Sequence, residues 1–190
     1  MPRLSDEIYA QHADEAAFLF SQRDAASADV AYDLKSLEGL DGRLEAHLDG
    51  LRLGGSEAME IARIAVEDGV GEVFVATTLA VDRSDARSFA KVLDVAGADP
   101  KLVRGIVNGL SWSAPDRVGK VAAALLDPRC PEPLHGLGVA ACVAHGRDPG
   151  PALDRAFGGR DATLRARAAH AVGALGKVDL LPQVERELAS

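Results

Sequence analysis

Two histidine-bearing segments near the start of this 190-residue chain are where side chains could first meet to do chemistry. His12 and Glu15 stand one helical turn apart, and His47 lies near Glu45 in a second, leucine-rich segment. Imidazole and carboxylate together can hold a transition metal, but such sites gather three or four convergent ligands. No second His-x-x-Glu and no His-Glu-x-x-His accompanies the group. The plainer reading makes these side chains polar ties between two N-terminal helices. Glu132 and His135 share the spacing used by carboxylate di-metal sites in helix bundles, but those sites repeat the pattern and add further carboxylates. Here it occurs once, directly after prolines. Cys142, in an alanine-rich stretch, reads as a small core filler rather than a nucleophile. No serine elbow, phosphate loop or dinucleotide fingerprint is present, and Gly69-Val70-Gly71 reads as a turn into a helix. The expectation is therefore no catalytic residue, no cofactor and no metal.

The elements that would position these side chains are helical. Aromatic residues make up 4% of the chain while Ala, Leu and Gly abound, a mix that favours close-packed helices over a sheet. Residues 4–27 predict one helix with Ile8, Ala16, Leu19 and Phe20 on its apolar side. Leu37, Leu40, Leu44, Leu48 and Leu51 predict a second, whose leucine row the first helix would cover, with Gly54-Gly55 ending it. Shorter helices follow over 56–68 and 70–81, the latter apolar nearly all round and hence central. Ser84 is expected to cap the next helix, Asp99-Pro100 to open another with proline at its first position, and Ser113 with Asp116 a third. Pro133 to Ala144 and a short helix after Asp148-Pro149 lead to the last hairpin. There Asp161 caps a stripe of Leu164, Ala168, Val172 and Leu175, Gly176 stops it, and Asp179 caps Leu181, Val184 and Leu188.

First helices of successive hairpins begin near Val70, Pro100, Pro131 and Asp161, spacings of 30, 31 and 30. Two helices per unit at a period near thirty predict an α-solenoid, because one hairpin cannot bury both of its stripes alone. The expected fold is all-α: residues 1–55 form a two-helix cap, and 56–190 about four hairpins in one solenoid.

Charge narrows the partners. The net charge is −8, and residues 1–69 hold 6 Lys/Arg against 15 Asp/Glu while 70–190 hold 15 against 14. Without a basic stripe, phosphate backbones and anionic membranes are poor partners, so neither nucleic acid nor membrane is expected. Cys130 and Cys142 form no Cys-x-x-Cys and read as reduced thiols. The opening MPRLSDEIYAQHADE is too polar for a signal peptide, so a cytoplasmic location is expected.

The last hairpin resembles a HEAT-like repeat: aspartate, the Leu164-Arg165 pair, an alanine-rich first helix, Gly176, Asp179, then LLPQVERELA. More broadly, QHADEAAFLFSQRDAA (11–26), LDGRLEAHLDGLRLGG (40–55) and ACVAHGRDPGPAL (141–153) resemble a family of uncharacterised bacterial HEAT-repeat proteins often encoded among type VI secretion genes. Ser56 stands where that resemblance would place a tryptophan. The resemblance implies a fold and a genomic neighbourhood, and no reaction.

In a solenoid the second helices commonly line the concave side. Their polar positions here are Asp85, Arg87, Lys91, Asp116, Arg117, Lys120, Asp154, Arg155, Glu185 and Arg186, with Trp112 in a turn as a candidate anchor. Mixed signs suit the polar surface of a protein partner, although an ordinary solvated face has the same look. Trp112, between Leu110 and Pro115, suits packing across the hairpin better than an exposed anchor. The expected function is a non-catalytic scaffold, adaptor or immunity-type protein gripping another protein, an effector or component of type VI secretion by the resemblance. The competing class is an enzyme with a polar or metal site around His12, Glu15 and His47. The uncapped last repeat further predicts either a homodimer through its exposed stripe or a longer natural chain.

Overall fold

A computed structural model describes residues 4–97 and 99–189, and all secondary structure among them is helical. The chain divides after Trp112 into two compact units.

The first unit opens with α1, Leu4–Ser27, which buries Ala13, Ala16, Ala17, Leu19 and Phe20. It packs along α2, Leu34–Ile64, whose buried residues include Leu40, Leu44, Leu48 and Leu51. The leucine row is thus covered by α1, as its spacing predicts. The Asp33 carboxylate caps α2 by accepting from the Ser36 amide at 2.8 Å. Gly54-Gly55 does not end this helix in a loop. The direction changes at one residue, Gly55, with φ 59° and ψ −127°, a conformation open to glycine, and helix resumes on the far side. A 3-10 turn over Ala65–Glu67 then leads to α3, Val70–Asp82.

Nearly every residue of α3 from Val73 to Val81 is buried, the fate predicted by its all-round apolar character. Two backbones crowd its first turn. A Cβ placed at Gly71 would lie 2.5 Å from the Ala17 carbonyl oxygen of α1, and one at Gly105 would lie 2.5 Å from the Val70 carbonyl oxygen. Gly105 belongs to α5, Val103–Trp112, and α4, Ala86–Ala96, also packs on α3. Two starts differ from expectation. Asp85, not Ser84, caps α4, accepting from the Arg87 and Ser88 amides, and Ser84 before it lies in the left-handed region at φ 54°. Pro100 precedes α5 instead of opening it: Asp99 accepts from the Lys101 amide, and helix begins at Val103.

The second unit holds α6 (Pro115–Leu125), α7 (Glu132–Ala144), α8 (Pro151–Phe157), α9 (Ala162–Ala174) and α10 (Leu181–Leu188). Pro115 fills the first position of α6, and Ala114 before it takes the cap position without a side-chain bond. Each helix packs on the next or next but one: α6 on α7, α7 on α8 and α9, α8 on α9, and α9 on α10. The core gathers Val139, Leu153, Ala156, Leu164, Ala168 and Ala171. Asp161 caps α9 as expected, accepting from the Thr163 amide at 2.8 Å, and Gly176 leaves the hairpin at φ 65°. Asp161→Ala is accordingly expected to cost about 1 kcal/mol, read as a lower midpoint in thermal unfolding followed by circular dichroism. Asp179 caps nothing; it lies inside a 3-10 turn, Val178–Leu180, and Pro182 sits in the first turn of α10.

Candidate functional site

His12 on α1 and His47 on α2 do meet. Their Nδ1 atoms are 3.0 Å apart and both rings are half-buried, a polar tie between the first two helices. Glu15 enters no hydrogen bond or ion pair with either ring. Among the described residues, no group of three or more His, Cys, Asp or Glu is placed to hold a metal ion.

A larger polar network crosses the same unit. Arg52 of α2 donates to Glu45 at 2.6 Å, to Asp49 at 2.7 Å and to Asp82 of α3 at 2.9 Å. Partial burial opposes its charge, but the three carboxylates outweigh that and raise its pKa, so Arg52 stays a cation. The second oxygen of Glu45 accepts from the Trp112 indole N–H at 2.6 Å. The indole in turn meets Phe74 edge-on, ring centres 5.8 Å apart. Trp112 is therefore half-buried and engaged within its own unit, through a partner 67 positions away in sequence. Every ionic group in this network has a partner, so it reads as a brace.

Glu132 and His135 turn to separate backbone partners. Glu132 accepts from the Arg160 amide at 2.6 Å and the Asp161 amide at 3.2 Å, steadying the entry to α9, while His135 bonds the Asp127 carbonyl at 3.1 Å. Burial raises the pKa of the Cys142 thiol, which leaves it a poor nucleophile.

The charged positions named from the sequence, Arg87 and Lys91 on α4, Asp116, Arg117 and Lys120 on α6, Asp154 and Arg155 on α8, Glu185 and Arg186 on α10, are all exposed. Asp154 and Arg186 share a concavity. They line an open cleft of about 340 Å³ between α8 and α10, with Phe157, Gly158, Gln183 and Glu187. Gln183 bridges it by donating to Asp154 at 3.2 Å. Glu187 receives Arg165 of α9 at 2.7 Å, and Arg165 also holds the Gly159 and Arg160 carbonyls, so the wall of the cleft is tied to the loop before α9. Arg155 is spent on the Leu126 carbonyl. Neither Phe157 nor Gln183 carries a sequence signal for this cleft, since an aromatic in a short apolar helix suits a core and a lone glutamine suits any surface. Beside the cleft, α10 buries none of its residues, and Leu181 and Leu188 are 44% and 85% exposed.

Among the described residues no helix is long and apolar enough to cross a membrane. The chain matches no family model, and comparison with curated proteins and with solved structures finds no similar chain.

Proposed function

We propose that this chain is a non-catalytic protein-binding module, a HEAT-like α-solenoid behind an N-terminal two-helix element, that grips a partner through the α8–α10 face. The observation that carries the reading is α10, with Leu181 and Leu188 exposed on a helix that buries nothing, next to a cleft lined by Asp154 and Arg186. Apolar residues rimmed by mixed charge are what a protein interface requires. The thirty-residue spacing and the packing of α7 on α9 support a repeat architecture. The resemblance supplies the setting: a cytoplasmic scaffold, adaptor or immunity-type protein whose partner is a type VI secretion effector or component.

The test is affinity purification of the tagged chain from its source cell beside Arg186→Glu/Leu188→Glu. One stoichiometric partner should accompany the wild type and be lost from the variant, with its circular dichroism unchanged. A partner that the variant keeps would move the site elsewhere, and an empty wild-type eluate would remove the reading. A second copy as occupant would announce itself as a dimer in light scattering that Leu188→Glu dissociates.

A further inference from the structure

Helix α1 carries apolar side chains on two faces, and its own unit covers one of them. The inner face, with Ala13, Ala16, Ala17, Leu19 and Phe20, packs on α2 and α3. On the outer face Leu4, Ile8 and Phe18 are 74%, 46% and 61% exposed. Leu4, Ile8, Gln11, Glu15 and Phe18 follow one another at spacings of four, three, four and three. That is the heptad seam along which one helix meets another, and from Leu4 to Phe18 it runs about 21 Å at 1.5 Å per residue. Its apolar anchors stand at the two ends. Between them lie Gln11 and the half-buried Glu15, which ask for polar or charged side chains opposite.

Charge says what sits there. From Leu4 to Gln22 the helix has four carboxylates, Asp6, Glu7, Asp14 and Glu15, and no Lys or Arg. Glu7 and Asp14 stand seven apart along one edge of the seam, the place where flanking charges select a partner helix. Among the described residues, neither they nor Glu15 enters an ion pair. The arginines near the other end of α1 are already engaged, Arg23 with Asp41 at 2.9 Å and Arg104 with Asp24 at 2.7 Å. Two copies of this seam face to face would set carboxylate against carboxylate, so a second copy is a poor occupant. Phosphate backbones and anionic membranes are repelled in the same way.

We propose that the outer face of α1 is a docking surface for a positively charged amphipathic helix of a partner protein. Apolar residues of that helix pack on Ile8 and Phe18, and its Lys or Arg side chains meet Glu7, Asp14 and Glu15. Burial of the apolar anchors supplies the attraction, while the carboxylates speed encounter and reject acidic helices. This surface belongs to the first unit and the α8–α10 face to the second, so either can bind without the other.

The test uses two synthetic helical peptides with the same leucine seam, one with Lys and one with Glu at the flanking positions. Each is titrated into the full chain, with affinity read by calorimetry and location by backbone amide NMR. The lysine peptide should bind at least about tenfold tighter than the glutamate peptide and weaken as salt is added. Its amide shifts should fall on residues 4–22. Phe18→Ser changes an exposed side chain, so circular dichroism should be unchanged while affinity for the lysine peptide drops about tenfold. Leu188→Glu, on the other face, should bind it as the wild type does. No binding of either peptide, equal binding of both, or wild-type affinity in Phe18→Ser would overturn the proposal. A dimer of the chain that Phe18→Ser dissociates would also overturn it, in favour of a second copy.

Discussion

Cutting Phe74 back to alanine is expected to lower the stability of the first unit by about 3–5 kcal/mol, the range for losing a fully buried aromatic. Phe74 is completely buried, stacks on Phe20 with ring centres 4.3 Å apart, and meets the edge of Trp112. The hole cannot collapse, because the helices around it already touch backbone to backbone. A Cβ at Gly109 of α5 would lie 3.0 Å from the Phe74 carbonyl oxygen itself. Trp112 is the only tryptophan, so its emission during denaturant unfolding reads this unit. Phe74→Leu should cost less, about 1–2 kcal/mol, since it refills part of the volume. A loss below 1 kcal/mol for the alanine variant would mean that the stack contributes little.

Gly71→Ala should be nearly as damaging, at about 3 kcal/mol, the upper end for overpacking. The added methyl would meet the Ala17 carbonyl oxygen at 2.5 Å and its Cα at 2.9 Å, all main-chain atoms of α1 that no rotamer change can move. Helix propensity alone predicts the opposite sign, because alanine is favoured over glycine inside a helix by roughly 1 kcal/mol. Gly42 separates the two effects. It is exposed on α2 with nothing within 4 Å of a built Cβ, so Gly42→Ala should raise stability by about 0.5–1 kcal/mol. Equal shifts for both variants in one unfolding assay would discard the close-approach account of α1 on α3.

The sequence is readable where structure follows from near neighbours. The ends of α1, the cover over Leu44 and Leu48, the central place of α3 and the cap at Asp161 all rest on spacing or on one local hydrogen bond. Starts chosen among several polar residues are less readable. Ser84 and its neighbour Asp85 are both good cap residues, and it is the Asp85 carboxylate that accepts the first-turn amides of α4. At Gly54-Gly55, glycine signals a change of direction without saying whether a loop or a bend will make it. Long-range partners leave no trace at all: nothing near Trp112 points to Glu45, and nothing near Arg52 points to Asp82. The same limit applies to the candidate surface. Helical position marks Asp154 and Arg186 as exposed, but only packing puts them across one cleft with Phe157 and Gln183.

The stepwise packing of the second unit also governs when it can fold. Each of its helices finds its partners within the next one or two to be made, from α6 on α7 to α9 on α10. Contacts that close short stretches of chain form in roughly microseconds to milliseconds, whereas a ribosome adds only about 5–20 residues each second. A helix of this unit can therefore meet its predecessor soon after emerging, but the core shared by α7, α8 and α9 closes only once α9 is complete. The first unit has to wait, because α1 holds bare alanines until α3 arrives more than a whole helix later. For residues 113–189, packing partners thus become available in the order of synthesis.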